Sequence, residues 1–204
     1  MTPTRLVAIL RQIYLIVSAL VGFASSRQRL REQQAEKLKK IATKSYAAVA
    51  SIYPILQEAL HKFDEVDRVT VFRSHNGTGI PQVGQLSYTS CIQEVHTGRT
   101  TSIIERWQKI PSDQLMVEAI AGMHSIGSAT LPVTDEDCPG GILTDFCRGN
   151  NIKTVLAVPI DYQPDGFLFL NFCSASCPDL RQVDGVLFEA ASCAARVAKA
   201  INAG

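Results

Sequence analysis

Neither sign of charge is in excess in this chain. Twenty Lys and Arg stand against 19 Asp and Glu, a net of +1, which removes any bulk electrostatic case for specific nucleic-acid binding. Metal-ligand spacing is also missing. His61, His75, His96 and His124 are far apart, and Cys173 and Cys177 form a pair with three residues between the thiols and no second pair. A zinc site needs such a second pair or regularly spaced histidines, so no metal is expected. Gly77-Thr78-Gly79 and Gly140-Gly141 have neither the Lys nor the strand-loop-helix setting of a phosphate loop. The six cysteines (Cys91, Cys138, Cys147, Cys173, Cys177, Cys193) are scattered among apolar neighbours. In a chain long enough to bury a core without covalent staples, that pattern predicts reduced thiols.

What is present first is a hydrophobic segment. Leu6 to Ala24 is apolar apart from Arg11, Gln12 and Ser18, and as a helix it would extend about 28 Å at ~1.5 Å per residue, near the ~30 Å of a bilayer core. Its longest run without a charged or amide side chain is only Ile13 to Ala24. Three readings fit: a membrane anchor with Arg11 snorkelling outward, a packed oligomerisation helix, or a signal sequence cleaved near Gly22-Phe23-Ala24. Seven basic residues against Glu32 and Glu36 follow between Arg27 and Lys44. For an anchor, that block predicts a membrane-associated protein with its folded part facing the cytosol.

From Ser26 the chain has good helix formers and no Gly or Pro until Pro54, with Leu30, Leu38, Ile41, Ala48, Ile52 and Leu56 near one face. A solvated helical linker over residues 27–54 follows, or a coiled-coil stalk. Pro54 is expected to kink or end it, and Ile55 to Phe63 to form a second short helix. The globular part, residues 55–204, then opens with a half-buried strand around Val69 and Val71. Further strands are expected within Gln85 to Val95, at Thr100 to Ile104 and within Ser125 to Val133. Ser112 is expected to cap a helix through Met123, and Ile142 to Arg148 to form one or two turns ending at Gly149. Two apolar runs, Val155 to Ile160 and Phe167 to Phe172, flank the turn Asp161 to Gly166 and predict an antiparallel hairpin, followed by a helix over Val183 to Ile201. The order is that of an α+β fold: an antiparallel sheet flanked by helices, preceded by a long helical extension.

The stretch Asn151 to Ile160, then Gly166 to Leu170 and the final helix, resembles the ending of GAF domains, in which a strand closing on Val-Pro precedes a Gly-led strand and a long helix. The resemblance implies a GAF-like (PAS-like) fold over about Ile55 to Asn202. A narrower likeness lies in Val69 to Gly77 with its Phe-x-x-His-Asn-Gly strand end, in Ser87 to Ser90, and in Lys109 to Ser112. These resemble a group of bacteriophage-encoded GAF-like proteins with a hydrophobic N-terminal segment.

The resemblance implies a non-catalytic binding or docking module tethered to a membrane or assembly, with no cofactor. A small-molecule pocket would lie between the sheet and the segment Trp107 to Cys147, with His75, Tyr88, Trp107 and Arg148 as candidate lining residues. Partners would be a second copy, through the N- and C-terminal helices, or other virion proteins. Ala190, Ala191, Ala194, Ala195 and Ala198 would allow close approach along the last helix. Two alternatives stay open: a structural virion component using the N-terminal helix for assembly, and a thiol-dependent redox enzyme.

Overall fold

The computed structural model describes residues 29–30, 32–37, 39, 47–77, 86–133, 140–163 and 166–203. The segment Leu6 to Ala24, the loop carrying Cys138 and the Pro164-Asp165 dipeptide lie outside them. The chain divides into two compact units, Met1–Tyr46 and Ala47–Gly204. In the first, residues 32–37 are helical and exposed. Among the described residues, no helix is long and apolar enough to cross a membrane.

The second unit is built on one six-stranded antiparallel sheet. Its strands are β1 (Arg68–His75), β2 (Tyr88–His96), β3 (Ile110–Pro111), β4 (Ala129–Pro132), β5 (Thr154–Gln163) and β6 (Gly166–Ser174), in the order β3-β2-β1-β6-β5-β4. The helices are α1 (residues 47–60), α2 (Gln114–Ile126), α3 (Ile142–Gly149) and α4 (Val186–Ala203). On one face, Ile52, Leu56 and Leu60 of α1 and Val186, Cys193 and Val197 of α4 pack with Val69, Val71, Leu156, Val158, Leu170 and Phe172 of the strands. The other face carries Phe72, Cys91, Ala157 and Phe169 beneath Trp107, Met116 and Met123, with α3 adding Cys147 beside Val155 and Cys173. Residues of both parities are therefore buried. This explains why β5 and β6 read as unbroken apolar runs, because alternation with polar residues survives only where one face meets water.

That double cover corrects the half-buried reading of β1, in which Arg68 and Thr70 are as fully buried as Val69 and Val71. Other expectations shift as well. The helix continues through Pro54, so residues 47–54 belong to the domain; seating Ile52 and Leu56 on the sheet outweighs the lost backbone hydrogen bond. Thr100 to Ile104 is not a strand, and the edge strand is Ile110–Pro111. Asp113, not Ser112, caps α2. The left-handed residue after α3 is Asn151 (φ 54°) rather than Gly149. The β5–β6 hairpin is longer than the apolar runs alone suggest, with pairing from Thr154↔Ser174 to Gln163↔Gly166. On α4 the alanines divide: Ala190 and Ala194 are buried against the sheet, while Ala191 and Ala195 are exposed.

Gly166 opens β6 at φ 151°, where an added Cβ would stand 2.5 Å from the Ser74 carbonyl oxygen and 2.9 Å from Arg73 Cγ. Both strain and collision penalise any side chain there. Gly166→Ala should lower unfolding stability by about 2 kcal/mol or more, whereas Gly98→Ala, whose Cβ meets nothing within 4 Å, should change it little. Denaturant unfolding of the two variants measures the difference.

Candidate ligand-binding cavity

Between the sheet and the α2–α3 side lies a cavity of about 50 Å³. That is several times the ~10–15 Å³ needed to hold one water. Its walls are apolar: Phe72 stacks on Phe169 with ring centroids 5.5 Å apart, and Trp107 meets Phe146 edge-on at 4.2 Å. Met116, Ile120 and Met123 of α2 and Leu143 and Cys147 of α3 close it from above.

Three features position these walls. Ile92 is an extra residue in β2, because Val71 pairs with Gln93 while Phe72 pairs with Cys91. At that bulge the Cys91 N–H donates to the Trp107 carbonyl (2.8 Å), and the Gln108 side chain donates to the Cys91 carbonyl (2.7 Å). Trp107 is thereby fixed over the sheet. The third feature is Asp113: one carboxylate oxygen accepts from Met116 N (2.9 Å) to cap α2, and the other accepts from Leu143 N (3.1 Å) in the first turn of α3. One side chain thus holds both roof helices.

The floor of the cavity is polar and buried. Arg68 has no exposed surface, and its Nε lies 2.9 Å from Glu94 Oε1, at an angle that makes a charge contact rather than a hydrogen bond. Its Nη2 donates to the Thr101 carbonyl (2.5 Å). Glu94 accepts from the Ser102 hydroxyl (2.7 Å) and the N–H groups of Ile103 (2.9 Å) and Ile104 (3.2 Å). These bonds explain why residues 101–104 do not form a strand: their donors turn inward to a side chain instead of toward a neighbouring backbone. Several polar atoms of this face have no hydrogen-bond partner among the described residues. Arg68 Nη1, Asn171 Oδ1 and Trp107 Nε1 belong to residues that line the cavity, and Thr70 Oγ1 sits on the strand position paired with Asn171.

Of the residues singled out from sequence, Trp107 lines this cavity, and the other three do not. His75 and Tyr88 pair across β1 and β2 with rings 6.2 Å apart, and the alternation of β1 turns His75 to the opposite side of the sheet from Phe72. His75 Nδ1 accepts from the Gly77 N–H (3.1 Å), which leaves Nε2 as the donor to Ser90 Oγ (3.0 Å). Ser90 Oγ also accepts from Lys109 N (2.9 Å). The histidine therefore does not serve Ser90 as a base, and the pair instead holds Lys109 in its left-handed backbone conformation (φ 54°). Arg148 is exposed at the end of α3. Arg68, Asn171 and Glu94 were missed by sequence reasoning. Polar residues at alternating positions inside otherwise apolar strands were the available signal.

The thiols in this region are quiet. Burial pushes Cys173 up to about 11, with Arg68 opposing, and burial together with Glu94 pushes Cys91 up further. No disulfide joins the described cysteines. Among the described residues no group of His, Cys, Asp and Glu could hold a metal ion.

No family model matches the sequence, and no curated protein matches it. Solved structures do match. A GAF domain/HD domain protein from Geobacter sulfurreducens superposes with a TM-score of 0.53 at 11% identity, over 76% of this chain and 92% of that one. The fold is GAF-like. A far-red cyanobacteriochrome photoreceptor gives a TM-score of 0.53 at 16% identity, over 85% and 98% of the two chains. A type II free methionine-R-sulfoxide reductase from Thermoplasma acidophilum gives 0.51 at 11%, over 78% and 95%. One GAF-like architecture thus carries a photoreceptor and a reductase, so the scaffold by itself selects no activity for this chain.

Two expectations follow from the site. Glu94→Gln should cost about 3–5 kcal/mol of stability by leaving Arg68 a buried, unbalanced cation, and Arg68→Met in the same chain should restore much of it; denaturant unfolding of single and double variants checks this. With iodoacetamide on the native protein at pH 8, the half-buried Cys177 should react before Cys91, Cys173 and Cys193, which should require unfolding, as peptide mapping by mass would show.

Proposed function

We propose that this protein is a non-catalytic binding module in which a GAF-like domain holds a small molecule in the cavity between its sheet and α2 and α3. The observation that carries this reading is the cavity itself, about 50 Å³ enclosed between the sheet and two helices and lined by aromatic and aliphatic side chains around the buried Arg68. Three of the lining residues, Arg68, Asn171 and Trp107, also carry a buried polar atom with no partner among the described residues, each at a cost of about 1–3 kcal/mol. The remaining wall is aromatic and aliphatic, the usual composition of a small-molecule site. A redox role draws no support from Cys91 and Cys173, whose burial keeps them in the unreactive thiol form near neutral pH. The His75–Ser90 contact, with the histidine as donor, offers no activated nucleophile.

The tether is part of the same proposal. The apolar Leu6 to Ala24 segment and the basic block after it suit attachment to a membrane or an assembly, with the binding domain displayed beyond it.

Full-length protein screened against fragment-sized molecules should give compounds that change Trp107 emission and raise the melting temperature. At 100 times Kd the stabilisation is about 2.7 kcal/mol, or roughly 5 °C or more for a domain of this size. Ala157→Leu, which places three further carbons at a cavity wall residue, should abolish the response while keeping the far-UV spectrum. Absence of any such compound, or hits indifferent to Ala157→Leu, would remove the cavity as the site. In cells, a C-terminally fluorescent fusion should sediment with membranes or high-mass assemblies and become soluble when residues 1–26 are deleted.

A further inference from the structure

We propose that the group this cavity encloses is hydrocarbon-like, uncharged and without hydrogen-bonding atoms: a dissolved apolar molecule of a few heavy atoms, or the apolar end of a larger ligand. This rests on the cavity being a ligand site. The nature of the surface is the first argument. What faces the cavity is almost wholly apolar, although Arg68, Thr89 and Asn171 are among the residues around it. Arg68 has no exposed surface, and Asn171 Oδ1 and Trp107 Nε1 have almost none. Thr89 Oγ1 is engaged with Ser112 Oγ at 3.2 Å. Trp107 therefore offers ring carbon to the cavity rather than its N–H. A buried water takes about 2–4 hydrogen bonds, and a surface of this kind supplies too few, so the cavity stays dry. An apolar guest gains dispersion contacts there that the empty void forgoes, whereas a hydroxyl or carboxylate gives up its hydration for nothing.

The walls are held apart by specific bonds. The bulge at Ile92 and the Gln108–Cys91 hydrogen bond keep Trp107 in place, and Asp113 fixes α2 and α3 together. Walls pinned on both sides do not relax into the space, so filling it falls to a guest. Met116 and Met123 on the α2 side add flexible, polarizable thioethers that adapt to an apolar guest. Size sets the limit: about 50 Å³ is about a third of the ~150 Å³ site that takes benzene, room for about two or three heavy atoms.

The chain has three methionines, Met1, Met116 and Met123, and the last two line the cavity. Full-length protein labelled at the methionine methyl carbons therefore reports on it by NMR. Xenon and ethane should each shift the Met116 and Met123 signals and leave Met1 unmoved. Methanol, nearly equal to ethane in shape but with a hydroxyl for one methyl, should bind at least ~10-fold more weakly. Ala157→Leu and Ala119→Leu fill the cavity from the sheet and from α2, and each variant that folds should lose the shifts. Fragments ending in a bare ethyl or propyl group that displace ethane assign the end of a larger ligand, while ethane that only xenon displaces assigns a free molecule. Both results support the inference and separate its two sources. Methanol binding as tightly as ethane would overturn it, and so would xenon and ethane leaving both signals in place. In that last case, fragments that bind in an Ala157→Leu-sensitive way keep the site and replace only its ligand class. If no fragment binds either, both fall.

Discussion

The carboxylate of Glu94 organises the half of the domain that distinguishes it. Its oxygens gather the Ser102 hydroxyl and the N–H groups of Ile103 and Ile104 while its charge meets Arg68. A backbone segment that would otherwise extend the sheet is folded inward around one side chain. The turn that results carries Ile103 and Trp107 over Phe72, and the Cys91 N–H then closes the arrangement by donating to the Trp107 carbonyl. A buried ion pair seldom adds net stability over well-packed apolar residues. Here its visible effect is on shape: it decides that this face has a wall standing off the sheet instead of a sixth full-length strand.

The two faces of the sheet therefore do different work. Against α1 and α4 the interface is aliphatic and closed, with Val69, Leu156, Leu170 and Phe172 buried under Ile52, Leu56, Val186 and Cys193. It is reinforced at the rim by Lys62 with Glu189 and Arg196 with Glu58. Against α2 and α3 the packing is aromatic and incomplete, and the lining of the space left over includes Arg68 of β1 and Asn171 of β6. One face secures the fold, and the other keeps a void.

The closing hairpin was legible in the sequence because its strands are covered on both sides, so β5 and β6 announce themselves as apolar runs bounded by a turn. The middle was less so. Residues 100–112 are shaped by the side chain of Glu94 and by the bulge at Ile92, neither of which leaves a local pattern. The strand around Val69 and Val71 suggests a half-buried element because alternation in an antiparallel strand usually separates core from water, and no single-strand pattern reveals that a second layer covers the polar positions, Arg68 and Thr70, too. Pro54 misled for a related reason: local propensity argued for a break, while burial of Ile52 and Leu56 against the sheet held the helix intact. Of the residues proposed for a pocket, only Trp107 lies at this cavity, since a large aromatic residue in an irregular segment must find apolar cover.

The double role of Asp113 has a mechanical consequence. Because one of its oxygens closes the first turn of α2 and the other holds the start of α3, the two helices above the cavity share a single hinge pin. The fit around it is tight, as a Cβ at Gly141 would stand 2.7 Å from the same carboxylate. Displacing either helix pulls on the other, so the roof rises or settles as one plate. A ligand too large for the resting volume would have to lift that plate whole, and the strain would be carried to a point remote from the ligand itself.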